Sequence, residues 1–253
     1  MEIIDEYIRQ QQWRNWSGYL QHIPLMEHQQ VLDLGCSVGE VSRLLAGRCA
    51  QVTGIDINPQ FINYCIENAR INQTFICSDL LKVDYSSLGP IDGIWASYAL
   101  SYLSDPALFL RELYQHMSNE SWIALVDVSC FISGNLPSSS SFYSTVHDFE
   151  IHSVTSGVYD FDFGSRMEKL VEAAGFTIIH QDNNVYDQEL NFNGPVDPEV
   201  LENWQARLAR MQGLKKRLTS AYDAMCCELL ENLQRQSHSM NENVKFLVAI
   251  KRT

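Results

Sequence analysis

Positive charge is scarce in this chain. Eighteen Lys and Arg stand against 31 Asp and Glu, a formal net charge of −13 over 253 residues. That balance argues against a surface that tracks phosphate backbones, so no nucleic-acid partner is expected. Long apolar runs are missing as well. No stretch approaches the ~18 residues a membrane span needs, so no membrane partner is expected either. The opening Met1-Glu2-Ile3-Ile4-Asp5-Glu6 has neither the basic flank nor the apolar run of a secretory leader. A disulfide framework is not indicated: the seven cysteines (36, 49, 65, 77, 130, 226, 227) are odd in number and several fall within apolar runs. They read as reduced, buried thiols of a cytoplasmic protein. Metal-ligand spacing is also lacking, because Cys226 and Cys227 are adjacent and no histidine cluster accompanies them. What the chain does have is core material, 45% apolar and 11% aromatic with only 19% charged. This excludes wholesale disorder and allows one large domain, or one domain with an insertion.

The first two thirds alternate two kinds of segment. Short apolar runs at 30–34, 52–56, 74–77, 93–96 and 122–128 read as strands, and 40–50, 59–72 and 105–117 between them read as helices. Phe61, Ile62, Cys65, Ile66 and Ala69 make the apolar stripe of the second helix, with Pro59 as its first residue. Leu108, Leu110, Leu113 and Met117 make that of the third, after an Asp-Pro start. Strict alternation implies right-handed crossovers and a mostly parallel sheet, which binds ligands beyond the carboxyl ends of its strands. After Val128 the alternation lapses into a segment, 129–163, rich in Ser, Gly and aromatics. Helix and strand return at 165–174 and 176–180, and a last strand is expected at 244–250. Residues 197–236 carry a helical stripe (Leu201, Trp204, Leu208, Met211, Leu218, Tyr222, Met225, Leu229) that Gly213 is expected to divide.

The turn Gly35-Cys36-Ser37-Val38-Gly39 joins the first strand to the first of these helices. Its glycines stand as G-x-x-x-G, so the dinucleotide fingerprint G-x-G-x-x-G is not met, and a P-loop fails for want of its lysine. The turn does match the G-x-S-x-G elbow of serine hydrolases. However, only 36 residues precede Ser37, and no oxyanion segment lies upstream. Residues 31–40 instead resemble motif I of the class I S-adenosylmethionine-dependent methyltransferases, with Ser37 in place of the middle glycine. Asp56 ends the second strand 23 residues after Asp33, and Asp79 follows the third after the same interval. The segments 91–98 and 100–106 resemble the fourth-strand motif and the loop and helix after it. Many relatives carry histidine where this chain has Ser101.

The resemblance implies an α/β, Rossmann-like class I methyltransferase fold: a mostly parallel seven-stranded sheet with an antiparallel last strand, plus a helical insertion. It implies one domain over 1–253, with an N-terminal helical cap (1–28), a cofactor-binding core (29–130), a lid (131–164) and an insertion (190–243). It also implies S-adenosyl-L-methionine as cofactor and S-adenosyl-L-homocysteine as product. Gly35 and Cys36 would give backbone contacts in a turn closed by Gly39. Asp33 would fix the amino group, directly or through water. Asp56 would accept from the ribose hydroxyls and Ile57 would pack on the adenine. Ser78, Asp79 and Leu80 would hold the adenine edge. Ser97 lies in the fourth motif, and Trp16 lies among the N-terminal aromatics (with Tyr7, Trp13 and Tyr19) that close over the cofactor.

The expected function is methyl transfer by in-line displacement to O, N or C of a small, apolar or aromatic acceptor. The alternatives are cofactor binding without transfer, or a protein acceptor. The sulfonium methyl is already activated, so few catalytic residues are obligatory. Candidates are His147 and His152 in the lid, suited to deprotonating an acceptor, and Tyr98. Tyr98 and Tyr102 are also suited to orienting the acceptor. The stripe over 197–236 has three uses: docking on the body, capping the acceptor pocket, or forming a homodimer seam.

Overall fold

Alternation of side chains along the strands sorts the core into two layers. The computed structural model describes residues 3–252; Met1 and Glu2, which open the segment read above for a leader, lie outside the described residues, as does Thr253. Strands β1 (Gln30–Leu34), β2 (Gln51–Asp56), β3 (Gln73–Cys77), β4 (Gly93–Ser97), β5 (Trp122–Val128), β6 (Thr177–Asp182) and β7 (Val244–Ile250) form one sheet. Its order is β3-β2-β1-β4-β5-β7-β6. Strands β1 to β5 pair in parallel, and β7 runs antiparallel to both β5 and β6. The strand order reverses between β1 and β4, which is where an open α/β sheet binds its ligand.

The helices are α1 (Ile3–Gln11), α2 (Trp16–Tyr19), α3 (Glu40–Ala46), α4 (Pro59–Glu67), α5 (Pro106–His116), α6 (Tyr143–Ser156), α7 (Phe163–Ala173), α8 (Pro198–Arg210), α9 (Gln212–Leu218) and α10 (Tyr222–Leu233). On one face of the sheet, Leu32, Leu34, Ile94, Ile123, Leu125 and Leu247 pack against α5 and α7. On the other, Val31, Val52, Trp95, Trp122, Val126 and Phe246 join Trp13, Trp16 and Tyr19 and the buried sides of α3, α8, α9 and α10. The stripe residues Trp204, Leu208, Tyr222, Met225 and Leu229 are therefore spent on the chain's own core. A second copy would have to use other surfaces.

Several boundaries and faces depart from the sequence reading. Helix α3 stops at Gly47 rather than at residue 50. Helix α4 ends at Glu67 because the Asn68 side chain donates to the Tyr64 carbonyl (2.8 Å), competing with the next turn, and Ile66 is exposed. In α5 the buried stripe runs through Phe109, Leu110, Leu113 and Met117, and Leu108 faces solvent. The long insertion breaks at Met211 and again at Thr219, where φ is +51, and Gly213 lies inside α9. The segment 129–163 is not all loop, since α6 fills 14 residues of it. The thiols all remain free, but only Cys36, Cys49 and Cys65 are buried; Cys77 emerges at the tip of the edge strand β3.

Candidate functional site

At the tip of β1 the chain turns through residues 35–39. The N–H groups of Gly35 and Cys36 both donate to the Ile55 carbonyl (2.8 and 3.1 Å), tying the turn to β2. Gly35 has φ +73, and a Cβ there would lie 2.5 Å from that of Ala99, so the position tolerates only glycine. Ser37 stands at φ +49, a left-handed conformation that costs an L-residue roughly 1–2 kcal/mol. This is the position where the family pattern has glycine. Its N–H donates to Asp56 Oδ2 (2.9 Å), and its buried Oγ has no partner among the described residues. Gly39, also left-handed, opens α3; a Cβ there would meet Cys65 Sγ at 2.9 Å, so this glycine serves the packing behind the turn.

Three carboxylates follow on successive strand tips. Asp33 is buried and accepts from Ser42 Oγ (2.5 Å); burial pushes its carboxyl up to about 7. Asp56 accepts from the N–H of Asn58 (2.8 Å) as well as Ser37, and burial holds it above the usual carboxylate range. Asp79 accepts from the N–H of Leu81 (3.0 Å), capping the turn 80–82. The sequence-derived residues Trp16, Asp33, Gly35, Cys36, Asp56, Ile57, Ser78, Asp79, Leu80, Ser97 and Tyr98 all line one cavity of about 1030 Å³, whereas Gly39 does not. The Cys36 thiol is not activated, because a hydrogen bond with Cys65 and burial push it up.

The cavity is also lined by an aromatic wall of Tyr7, Tyr102, Phe131, Tyr159 and Phe161. Tyr98 enters it from a left-handed residue (φ +54), with its hydroxyl buried and without a partner among the described residues. Burial raises the Tyr98 phenol well above its ordinary range, so at neutral pH it is a donor. His147 and His152 do not line the cavity. Both sit on α6, where His147 stacks on Tyr143 (5.7 Å) and its Nδ1 lies 4.0 Å from Glu150. The charged residue that α6 buries is Glu150, which accepts from the N–H groups of Ile132 (2.6 Å) and Ser133 (3.2 Å).

An ion network behind this wall escaped the sequence reading. Arg14 bridges Asp187 (2.8 Å) and Glu189 (2.5 Å), and Glu189 also receives Arg207 (2.7 Å) and Asn203 (2.5 Å). Burial alone would raise the Glu189 carboxyl, but the guanidiniums of Arg207 and Arg14 outweigh it and hold it below the usual range. At the mouth, Arg210 grips both oxygens of Glu6 (3.0 and 2.7 Å), joining α8 to α1. No local pattern signals these pairs: Arg14 and Arg210 reach partners 173 to 204 residues away, and Glu189 lies outside the helix that carries Asn203 and Arg207.

S-adenosylmethionine fits this donor set. Its ammonium suits Asp33, a buried carboxylate with no cation beside it among the described residues, and its ribose suits the remaining lone pairs of Asp56. Residues 32–125 match the family model of the methyltransferase domain. The chain has the Rossmann-like fold of the class I S-adenosylmethionine-dependent methyltransferases and, over residues 32–125, the pattern of a methyltransferase domain. Over 86 residues it is 35% identical to 2-methyl-6-phytyl-1,4-hydroquinone methyltransferase of Synechocystis sp. PCC 6803, a match covering 33% of this chain and 27% of that one. The curated relatives are matched over only about a third of their length (27% and 35%). Among solved structures, an S-adenosylmethionine-dependent methyltransferase from Mesorhizobium loti superposes with TM-score 0.56 at 17% identity, covering 93% of this chain and 96% of the other. The [4+2]-cyclase SpnF superposes with TM-score 0.60 at 18% identity, covering 94% and 80%. At these identities the likeness is one of fold, and the methyltransferase fold is shared by a cyclase.

Proposed function

We propose that this chain moves a methyl group from S-adenosylmethionine to a small aromatic acceptor by in-line displacement. One observation carries the reading: Asp33, Asp56 and Asp79, on three successive strand tips, open into the same cavity as an aromatic wall. When bound, the cofactor supplies a methyl already activated on a sulfonium sulfur. The chain's own residues bind, orient and exclude water. Asp33 holds the ammonium, Asp56 the ribose hydroxyls, and Asp79 with Leu80 the adenine edge. Ile57, 69% exposed at the rim, offers its side chain to the adenine face. Tyr98 and Tyr102 orient the acceptor against the aromatic wall, and positioning of this kind supplies most of what such a reaction needs. Tyr98 acts as a hydrogen-bond donor, and no histidine is assigned as base. The net charge of −13 supports a small-molecule acceptor over a nucleic acid, and the free thiols suit a reducing compartment such as the cytoplasm.

Titration calorimetry with S-adenosylmethionine and S-adenosylhomocysteine tests the binding half. Asp56→Ala removes a charged acceptor and is expected to weaken binding by roughly tenfold or more, a loss of ~1.5–3 kcal/mol. Unchanged affinity would sink the site assignment. The cyclase with the same fold favours one second reading, that the cavity holds the cofactor but serves other chemistry. Release of S-adenosylhomocysteine during incubation with a panel of aromatic metabolites separates the two. Tight binding with no turnover supports the second.

A further inference from the structure

Arg207 has more donors than the protein gives it acceptors. Its Nη2 donates to Glu189 Oε1 at 2.7 Å, while its Nη1 is buried with no acceptor among the described residues. The guanidinium carbon stands 5.0 Å from the ring centroid of Phe131 and 5.2 Å from that of Trp204, and these rings fix the fork in place. Glu189 is in no position to serve the second arm, because Oε1 also takes Asn203 and Oε2 takes Arg14. A second unmet donor belongs to the same neighbourhood. The Tyr98 ring lies 5.4 Å from the guanidinium of Arg14, which shares Glu189 with Arg207, and the Tyr98 hydroxyl is likewise buried and unpartnered among the described residues. Both residues line the cavity. A buried donor left without an acceptor costs ~1–3 kcal/mol, and more when charged, so two such residues in the lining of one cavity call for oxygen atoms from a ligand.

The cavity lining also carries charge of both signs. Asp33, Asp56 and Asp79 stand at the strand tips, whereas Arg14 follows α1 and Arg207 and Arg210 come from α8, each paired with a carboxylate. An acceptor with one anionic end is oriented with that end away from the three carboxylates at the strand tips. We propose that the acceptor is an aromatic carboxylic acid, its carboxylate taking a hydrogen bond from Arg207 Nη1. The inference rests on the methyl-transfer reading of this cavity and names the acceptor class within it. The free arm of the guanidinium gives a carboxylate a charge-assisted hydrogen bond, about twice as strong as a neutral one. A neutral amide of the same shape offers a weaker acceptor and brings an N–H₂ group toward a cation.

The test uses the full chain saturated with S-adenosylhomocysteine. Benzoate, cinnamate and 4-hydroxybenzoate are titrated against their carboxamides by calorimetry, and S-adenosylhomocysteine affinity is measured by titrating the unliganded protein of the same preparation. The acids are expected to bind at least about tenfold tighter than the amides. In Arg207→Gln that ratio is expected to fall to within about twofold, with cofactor affinity unchanged. A panel in which no acid surpasses its amide overturns the inference, as does a preference that survives Arg207→Gln. In either case intact cofactor binding leaves the methyl-transfer reading standing, whereas absence of cofactor binding in the unaltered chain overturns that reading itself. If Arg207→Gln melts too low to titrate, Arg207→Lys keeps a cation beside Glu189 without the second arm of the fork. An acid preference undiminished in Arg207→Lys also overturns the inference.

Discussion

Single residues divide sharply into those that sequence exposes and those it hides. Asp33, Asp56 and Asp79 stood out because their order and spacing resemble the methyltransferase motifs, and the parallel register sets their strands side by side. Arg14 and Asp187 did not, because 173 residues separate two charges that only tertiary packing brings together. Asp127 is hidden in another way. It sits within the wholly buried run of β5, accepts from the Val128 N–H (2.8 Å), and is pushed up to about 8 by burial. The folded chain thus keeps a proton there that the unfolded chain releases near pH 4, so this group's contribution to stability falls as pH rises from ~4 to ~8. Asp127→Asn, neutral throughout, is expected to melt higher than the unaltered chain at pH 8, by on the order of 2 kcal/mol, and to match it near pH 4. Melting curves at the two pH values check this, and a variant less stable at pH 8 contradicts it. Asp33 and Glu150, each raised to about 7 by burial, act in the same direction, so part of the slope remains.

Elements were read best where their periodicity was clean. Five parallel strands and the helices between them follow from short apolar runs and 3.6-residue stripes. Helix α6 was missed because its inward face is built from Val146, Glu150 and Ser153, a face that carries little apolar signal. The insertion was seen as helical, but its docking was not, since an amphipathic stripe does not say what covers it. Trp204 on α8 decides the matter. It is fully buried, its Nε1 donates to the Glu189 carbonyl (2.9 Å), and its ring lies 5.5 Å from that of Phe131. Trp204→Ala is expected to cost ~3–5 kcal/mol, lowering the melting temperature by roughly 10 °C, while Trp204→Phe costs less than half of that. A melting temperature unchanged in Trp204→Ala would mean that α8 does not belong to the core.

At the scale of the whole molecule, the cavity draws its walls from α1, five strand tips, the 129–163 segment and α8. A ligand that fills it binds the folded chain only, so saturation should be felt globally. S-adenosylhomocysteine at a hundred times its dissociation constant stabilises by ~2.7 kcal/mol, and the expected rise in melting temperature is about 5–10 °C. Adenosine alone, which leaves Asp33 without its cation, should give a smaller rise. No shift at millimolar S-adenosylhomocysteine would count against the cavity as its site. The pair Glu6–Arg210 closes this cavity across 204 residues of chain. During synthesis, the segment 32–125 that carries the family pattern therefore emerges long before the last wall does. Enclosure of a ligand is a late event, timed by the arrival of α8 rather than by the folding of the strands that recognise it.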